Sequence, residues 1–241
     1  MVKAALAAVA DWLGKFPADK AENPHWLREH TSMCDRQGNL LRDQGDRPGA
    51  LATFRTVLAV RQRVAATDSS NAGWRRDVSA SQHRIGDVLQ AQGDLAGALT
   101  AYRQSLVLIQ QLAVADQSNA RWQRDSGAIQ QRIADVLQDQ GDLTGALAAY
   151  EQVLTAIQEL ASTDPSNASW QRDLSLVLTR MAECYERQAQ RSEALHFAEE
   201  SLAIDERLAA LDPTNATWQE DVAISRALVT LWRGIDGPMT G

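Results

Sequence analysis

The chain has 241 residues, a formal net charge of −7 and a pI near 5.1. Hydrophobic residues make up 44% of it and charged residues 23%, as is ordinary for a soluble folded protein. Proteins that bind nucleic acids or anionic membranes usually carry a surplus of lysine and arginine, so the acidic balance argues against both kinds of partner. No apolar run approaches the roughly 20 residues that a membrane-spanning helix needs.

One tryptophan recurs at a constant interval, and the residues after it recur with it, as in Trp74-Arg75-Arg76-Asp77. Successive members of the series lie 48 residues apart, at Trp26, Trp74, Trp122, Trp170 and Trp218. A constant period of about 20–50 residues is typical of stacked repeat arrays, in which each repeat buries its apolar face on its neighbours. We interpret the five tryptophans as structural packing residues rather than as an aromatic ligand ladder.

The pattern within each repeat predicts a pair of helices. In the second repeat, Asn71 can cap the first helix, and Gly93 followed by Asp94 can end it and cap the next one. Apolar residues then recur at helical spacing, at Leu95, Ala98, Leu99, Tyr102, Leu106, Ile109 and Leu112. The fourth repeat has Ala189 and Gln190 where glycine and aspartate are expected, so its inner turn departs from the pattern.

In chain order, the pattern predicts about ten helices and no strands in a single domain at 1–233. Residues 1–16 form a lone helix in the register of a second helix, because Leu6, Val9, Leu13 and Phe16 match Tyr102, Ser105, Ile109 and Leu112. Further elements are helix pairs at 26–67, 74–115, 122–163 and 170–211, a lone helix at 218–233 and a flexible tail at 234–241. The first ten residues also resemble a short signal peptide, but Asp11 follows at once and the segment keeps the repeat register.

The two lone helices leave alternatives open, since they could cap the array or be cut edges of a longer protein. Trp12 and Trp232 lie in these helices and, if exposed, would mark surfaces for further repeats or another domain. Cys34 and Cys184 lie about three repeats apart, which is too far for a disulfide and suggests a reducing compartment.

These residues together resemble the tetratricopeptide repeat pattern. Small residues recur where the paired helices should cross, at Gly38, Gly86, Ala134 and Ala182 in the first helix and at Ala50, Ala98, Ala146 and Ala194 in the second. The family repeat has about 34 residues, and here each helix is longer by about seven residues, or nearly two turns, which keeps its buried face in register. The resemblance implies an all-α fold, a right-handed α-solenoid of stacked antiparallel helix pairs.

The resemblance also implies a concave groove lined by the first helices, where partners of this family usually bind. The matching positions are Asp35, Asn39, Arg42, His83, Arg84, Asp87, Gln90, Gln131, Arg132, Asp135, Gln138, Thr179, Arg180, Glu183 and Glu186. Arg84, Arg132 and Arg180 each precede an acid by three residues, and these pairs could bind a partner or only stiffen the stack. Family members that grip a carboxyl terminus use lysine, arginine and asparagine here. Because this face has no lysine and several acids, we expect it to bind polar or basic segments and not acidic tails.

Signatures of catalysis are missing from the sequence. It contains no nucleophile elbow, phosphate-binding loop or dinucleotide-binding turn, and its four histidines and two cysteines lack metal-ligand spacing. We therefore expect no catalytic residue, cofactor or metal. The leading hypothesis is a bacterial, cytoplasmic scaffold for protein–protein interaction, as the sensor or adaptor part of a larger protein. The alternatives are self-assembly into a dimer or filament through the terminal helices, and an enzyme with an unrecognised site in the groove.

Overall fold

The computed structural model describes residues 15, 20, 23–116 and 119–235, and this part of the chain contains nine α-helices and no strand. They are α1 (Pro24–Asp43), α2 (Arg47–Thr67), α3 (Ala72–Ala91), α4 (Leu95–Ala115), α5 (Ala120–Gln140), α6 (Leu143–Thr163), α7 (Ala168–Arg187), α8 (Arg191–Leu211) and α9 (Ala216–Ile235). Consecutive helix pairs confirm the predicted all-α fold class. Nearly all of the helix predicted at 1–16, and residues 236–241 of the predicted tail, lie outside the described residues, whereas α9 continues past the predicted end at 233.

The contacts among the helices divide the chain into two units, one ending at Ile129 and the other starting at Gln130. In the first unit α1 packs on α2, α2 on α3 and α3 on α4. In the second unit α6 packs on α7, α7 on α8 and α8 on α9. A second helix such as α2 or α8 therefore contacts two first helices, its own partner and the one that follows.

Capping side chains define where the helices begin. The Asn71 side chain accepts a hydrogen bond from the backbone N–H of Trp74 at 3.1 Å, three residues further on. The same bond joins Asn23 to Trp26, Asn167 to Trp170 and Asn215 to Trp218. At the second helices, Asp46, Asp94 and Asp142 each accept from a glycine N–H at 2.9 Å. These bonds satisfy N–H groups that have no partner inside the helix, so the repeated asparagines and aspartates set the helix starts.

The inner turns take a left-handed backbone conformation. Gly45, Gly93 and Gly141 have φ angles of +86°, +82° and +83°. In the fourth repeat Ala189 holds this conformation with φ +59°, and Gln190 makes no side-chain cap. A Cβ atom in this region costs roughly 1–2 kcal/mol. The fourth turn therefore keeps the shape of the others at the expense of backbone strain.

We expect Ala189→Gly to raise the free energy of unfolding by about 1 kcal/mol, because glycine relieves that strain. The reverse change at the matching turn, Gly141→Ala, should lower it by about the same amount. A Cβ added at Gly141 would meet no atom within 4 Å, so that variant reports backbone conformation alone. Urea denaturation followed by circular dichroism measures both, and two unchanged midpoints would contradict the explanation.

The core lies between the helices at the positions where the sequence repeats small residues. A Cβ atom on Gly38 would lie 2.5 Å from the Phe54 ring, and one on Gly86 would lie 2.6 Å from the Tyr102 ring. The matching alanines of the second helices are fully buried, at Ala50, Ala98, Ala146 and Ala194. At Gly38 and Gly86 the missing side chain therefore leaves room for the aromatic ring of the second helix.

The tryptophans contribute to this core in different degrees. Trp74 and Trp122 are buried, whereas Trp26, Trp170 and Trp218 are half-buried. Trp232 is only 5% exposed and packs in a cluster with Ala182, Ala194, Ala198 and Val229. It is therefore a core residue of α9 rather than an exposed docking residue, and Trp12 lies outside the described residues.

Candidate functional site

The first helices of the first unit enclose a cavity of about 410 Å³. Residues of α1, α3 and α5 form its walls, and Ser105 and Ile109 of α4 contribute from the second helix. Five of the residues predicted for the groove line it, namely Asn39, Arg42, His83, Arg84 and Asp87. Residues three and four apart on one helix share a face, which explains why this spacing brings them to one cavity.

Two other predicted groove residues of this unit have different surroundings. Gln90 is half-buried and accepts a hydrogen bond from the Tyr102 hydroxyl at 3.2 Å. Asp35 is 6% exposed, and its Oδ2 lies 2.7 Å from Nη2 of Arg61 on α2. Arg84, at 3.6 Å, lies on the same carboxylate. Asp35 is thus part of a buried ion pair and is not open to a partner, because an arginine of the second helix faces it.

The cavity also contains an ion pair that the sequence prediction missed. Arg76 and Asp125 line it, with 2.9 Å between Arg76 Nε and Asp125 Oδ2. The same pairing joins Arg28 to Asp77 at 2.6 Å in this unit and Arg172 to Asp221 at 2.6 Å in the second unit. Each pair spans 49 residues, from the arginine two positions after one tryptophan to the aspartate three positions after the next. The Arg-Asp dipeptide that recurs after the tryptophan was the sequence signal that could have predicted these ion pairs.

In each unit, a buried tyrosine donates a hydrogen bond to an aspartate on the first-helix face. The Tyr102 hydroxyl donates to Asp87 at 2.7 Å, and the Tyr150 hydroxyl donates to Asp135 at 2.5 Å. Burial raises the pKa of Asp135 above its usual 3.8, while the Tyr150 hydrogen bond and the charges of Arg180 and Arg132 act in the opposite direction. Burial, followed by the charge of Asp135, raises the pKa of Tyr150. These two acids are therefore anchored to the core.

The first-helix face of the second unit carries the remaining predicted residues. Arg180 pairs with Glu183 at 3.0 Å, and Arg132 lies 3.9 Å from Asp135. Gln138 is buried and lies 3.5 Å from the Glu183 carboxylate. Thr179 shares a hydrogen bond with Ser201 at 2.7 Å, Gln131 is half-buried and Glu186 is exposed. Among the acids of this face, Glu186 is the most accessible, followed by the half-buried Glu183.

The described residues contain no group of three or more His, Cys, Asp or Glu side chains placed to hold a metal ion. Cys184 is fully buried, and burial raises the pKa of its thiol to about 11. A thiol with that pKa is protonated at neutral pH and is a poor nucleophile. None of the described helices is long and apolar enough to span a membrane.

A buried carboxylate surrounded by hydroxyl groups lies in the second unit. Asp205 of α8 is 2% exposed and accepts hydrogen bonds from Ser175 of α7 and Ser225 of α9. Ser201, one helical turn away, bonds to the same two serines at 2.9 and 3.4 Å. Burial raises the pKa of Asp205 above its usual 3.8, and the two serine hydrogen bonds oppose that rise.

We expect Asp205→Asn to change the pH dependence of stability. A carboxyl with a raised pKa in the folded state contributes stability below its unfolded pKa, and this contribution is lost as the pH rises through the folded pKa. The free energy of unfolding of the variant, relative to that of the wild type, should therefore increase as the pH rises from about 4. The increase should be about 1.4 kcal/mol for each unit by which the folded pKa of Asp205 exceeds the unfolded pKa. Urea denaturation at several pH values checks this. A difference between the two proteins that does not vary with pH would contradict it.

Solved structures of repeat proteins are similar to this fold. BtubC (BKLC) from P. vanneervenii superimposes with a TM-score of 0.60 at 12% identity, over 99% of this chain and 94% of that one. A putative kinesin light chain from Podosopora anserina with nearly identical TPR-like repeats gives 0.54 at 20% identity, over 86% and 96%. The apo form of RapI gives 0.60 at 10% identity, over 87% of this chain and 55% of RapI. Identities this low indicate a shared fold alone. No curated protein matches the sequence.

The sequence itself matches the tetratricopeptide repeat family at 36–70, 78–118 and 128–166. Each matched segment begins within a first helix and covers the second helix that follows it, in the pairs α1–α2, α3–α4 and α5–α6. The 48-residue period, the consecutive helix pairs and the similar structures agree with this match. The chain belongs to the tetratricopeptide repeat family.

Proposed function

We propose that this protein is a non-catalytic interaction scaffold that binds a polar or basic segment of a partner protein on the faces of its first helices. Repeats of this family typically mediate protein–protein interaction. The observation that carries the proposal is the cavity of about 410 Å³, which five of the predicted groove residues line. We further propose that the scaffold is the sensor or adaptor part of a larger protein of the bacterial cytoplasm.

The chemistry of the cavity supports a polar occupant. Asn39 and His83 offer both donors and acceptors, which suit the backbone of an extended peptide. The acids Asp87 and Asp125 lie beside arginines and a histidine, so the wall has no uniform sign of charge. A mixed wall of this kind discriminates by hydrogen-bond pattern rather than by a hydrophobic anchor.

The second unit supports the preference for basic segments. Glu186 is exposed and Glu183 is half-buried, and both lie on α7 at positions that a bound segment can reach. A lysine or arginine of a partner would gain attraction from these acids, and a carboxylate would be repelled. The attraction acts near the surface, so it should weaken as salt is added.

The test measures binding of synthetic peptides of matched length that are basic, neutral and polar, or acidic. We expect the basic peptide to bind tightest and the acidic peptide weakest. Glu183→Gln combined with Glu186→Lys should weaken binding of the basic peptide at least about fivefold, since about 1 kcal/mol of attraction is lost. Fluorescence anisotropy at two salt concentrations gives the dissociation constants.

The matched control is Glu151→Gln combined with Glu159→Lys, which makes the same charge change on exposed positions of the second helix α6. It should leave binding unchanged, because Glu151 and Glu159 do not lie on the face of a first helix. Equal losses in both double variants would show an effect of net charge and not of the face. Tightest binding by the acidic peptide would refute the preference.

A further inference from the structure

The second helix α2 carries two exposed arginines, Arg55 and Arg63, on its outer surface. They lie eight residues apart, which keeps them on one stripe of the helix and separates them by about 12 Å along its axis. We call these two residues the basic face. The equivalent Arg103 and Gln111 of α4 are also exposed, although the second helix that precedes them is described. The exposure of the basic face therefore belongs to the outer surface of a second helix and does not result from where the described chain begins.

The helix α6 has the opposite charge at the same two positions. Glu151 and Glu159 occupy them, two repeats after the arginines, and both are exposed. We call these two residues the acidic face. The other second helices are mixed at these positions, since α4 has arginine followed by glutamine and α8 has Glu199 followed by Arg207. Among the four described second helices, α2 and α6 are thus the two that carry a single sign of charge, and their signs are opposite.

The charges of the basic face and the acidic face are not neutralised by neighbouring side chains. Within the described part of the chain, none of the two arginines and two glutamates has an ion-pair partner. On α8, by contrast, Glu199 lies 2.6 Å from Arg233 of α9. The four charges of the two faces therefore remain available to another molecule.

Small side chains lie beside the charges on both faces. Midway between the two charged positions, α2 has Ala59 and α6 has Thr155. Seven residues further along the same stripe, α2 has Ala66 and α6 has Ser162, and both are exposed. Small side chains allow two helices to lie at the usual interaxial distance of roughly 8–10 Å. The long arginine and glutamate side chains can then meet across the contact.

We propose that the basic face of one copy of this chain packs against the acidic face of a second copy, so that its two arginines pair with the two glutamates. The charges match whether the facing helices run parallel or antiparallel, because each face carries one sign at both positions. The second copy is the occupant that charge complementarity favours, since the same sequence supplies opposite charges at the same spacing. Both faces belong to second helices, so this inference is independent of the proposed function.

The first test is the mass of the full chain in solution as a function of concentration, by sedimentation equilibrium at low and at high salt. At low salt, we expect the mass to rise above that of the 26.4 kDa monomer as the concentration increases. In about 1 M salt, screening limits the reach of exposed charges to roughly 3 Å, and the protein should return to the monomer.

Charge reversal then identifies the two faces. Arg55→Glu with Arg63→Glu makes both faces acidic, and Glu151→Arg with Glu159→Arg makes both faces basic. Each double variant alone should remain a monomer, because facing charges of one sign repel. An equal mixture of the two should associate again. The variant that carries all four changes should also associate, and it keeps the native net charge of −7.

The matched control is Arg103→Glu with Arg121→Glu, which makes the same change of net charge at exposed positions outside the two faces. It should associate as the wild type does, and circular dichroism shows whether each variant keeps its helices. A wild type that is monomeric at every concentration would overturn the proposal and leave the basic face to an acidic partner of another kind. So would association of either reversed variant alone, or a mixture of the folded reversed variants that stays monomeric.

Discussion

Asp35→Ala is expected to lower the free energy of unfolding by about 3–5 kcal/mol, because it leaves a buried charge without a partner. The Arg61 side chain is 7% exposed, and its guanidinium lies 2.7 Å from the Asp35 carboxylate. Once the carboxylate is removed, the hydroxyl of Ser81 at 2.8 Å and a backbone carbonyl at 3.4 Å remain. Neither can neutralise the charge. Urea denaturation of the single variant measures the loss.

The double variant Asp35→Ala with Arg61→Ile separates the buried charge from the volume of the side chains. Isoleucine occupies the position of Arg61 in the next two repeats, at Ile109 and Ile157. Asp35 Oδ1 and Arg61 Nε have no hydrogen-bond partner, so the native pair is incompletely satisfied. Joint replacement should therefore recover most of the loss, to within about 1–2 kcal/mol of the wild type. A double variant as unstable as Asp35→Ala would show that the charge is not the cause.

Trp74→Ala should lower the free energy of unfolding by about 3–5 kcal/mol, because the buried indole is lost and a cavity is left in its place. Trp74 is 9% exposed and packs with Leu27 of α1 and with Val60 and Val64 of α2. The side chain thus joins the first helix pair to the second. Chemical denaturation gives the total loss.

Hydrogen exchange locates the effect, since a repeat contacts its neighbours alone and a lesion should remain local. We expect the amides of α2 and α3 to lose protection first. The comparison is Trp218→Ala in the second unit, which removes a half-buried indole and should cost less. Equal losses in the two variants, or a uniform loss of protection along the chain, would be inconsistent with packing by Trp74.

The structure brings some of the predicted groove residues to one cavity and not others, and the physical reason lies in what one helix can specify. The spacing of Asn39, His83 and Asp87 within their own helices was enough to place them on a common face, which lines the cavity. The same spacing assigned Asp35 to that face. Its burial depends on Arg61 of another helix, at a position where the next two repeats have isoleucine. A charged residue inside an apolar stripe was the signal for this exception.

The sequence by itself determined the period, the helix starts and the small residues at the helix crossings. These features depend on residues a few positions apart or on exact repetition, as when Asn71 caps the helix that contains Trp74. Only the tertiary structure decided which side chains meet across repeats. Arg76 and Asp125 pair over 49 residues because stacking brings successive first helices side by side. The same stacking decides which equivalent positions are buried and which, as at Met33 and Thr230, stay open.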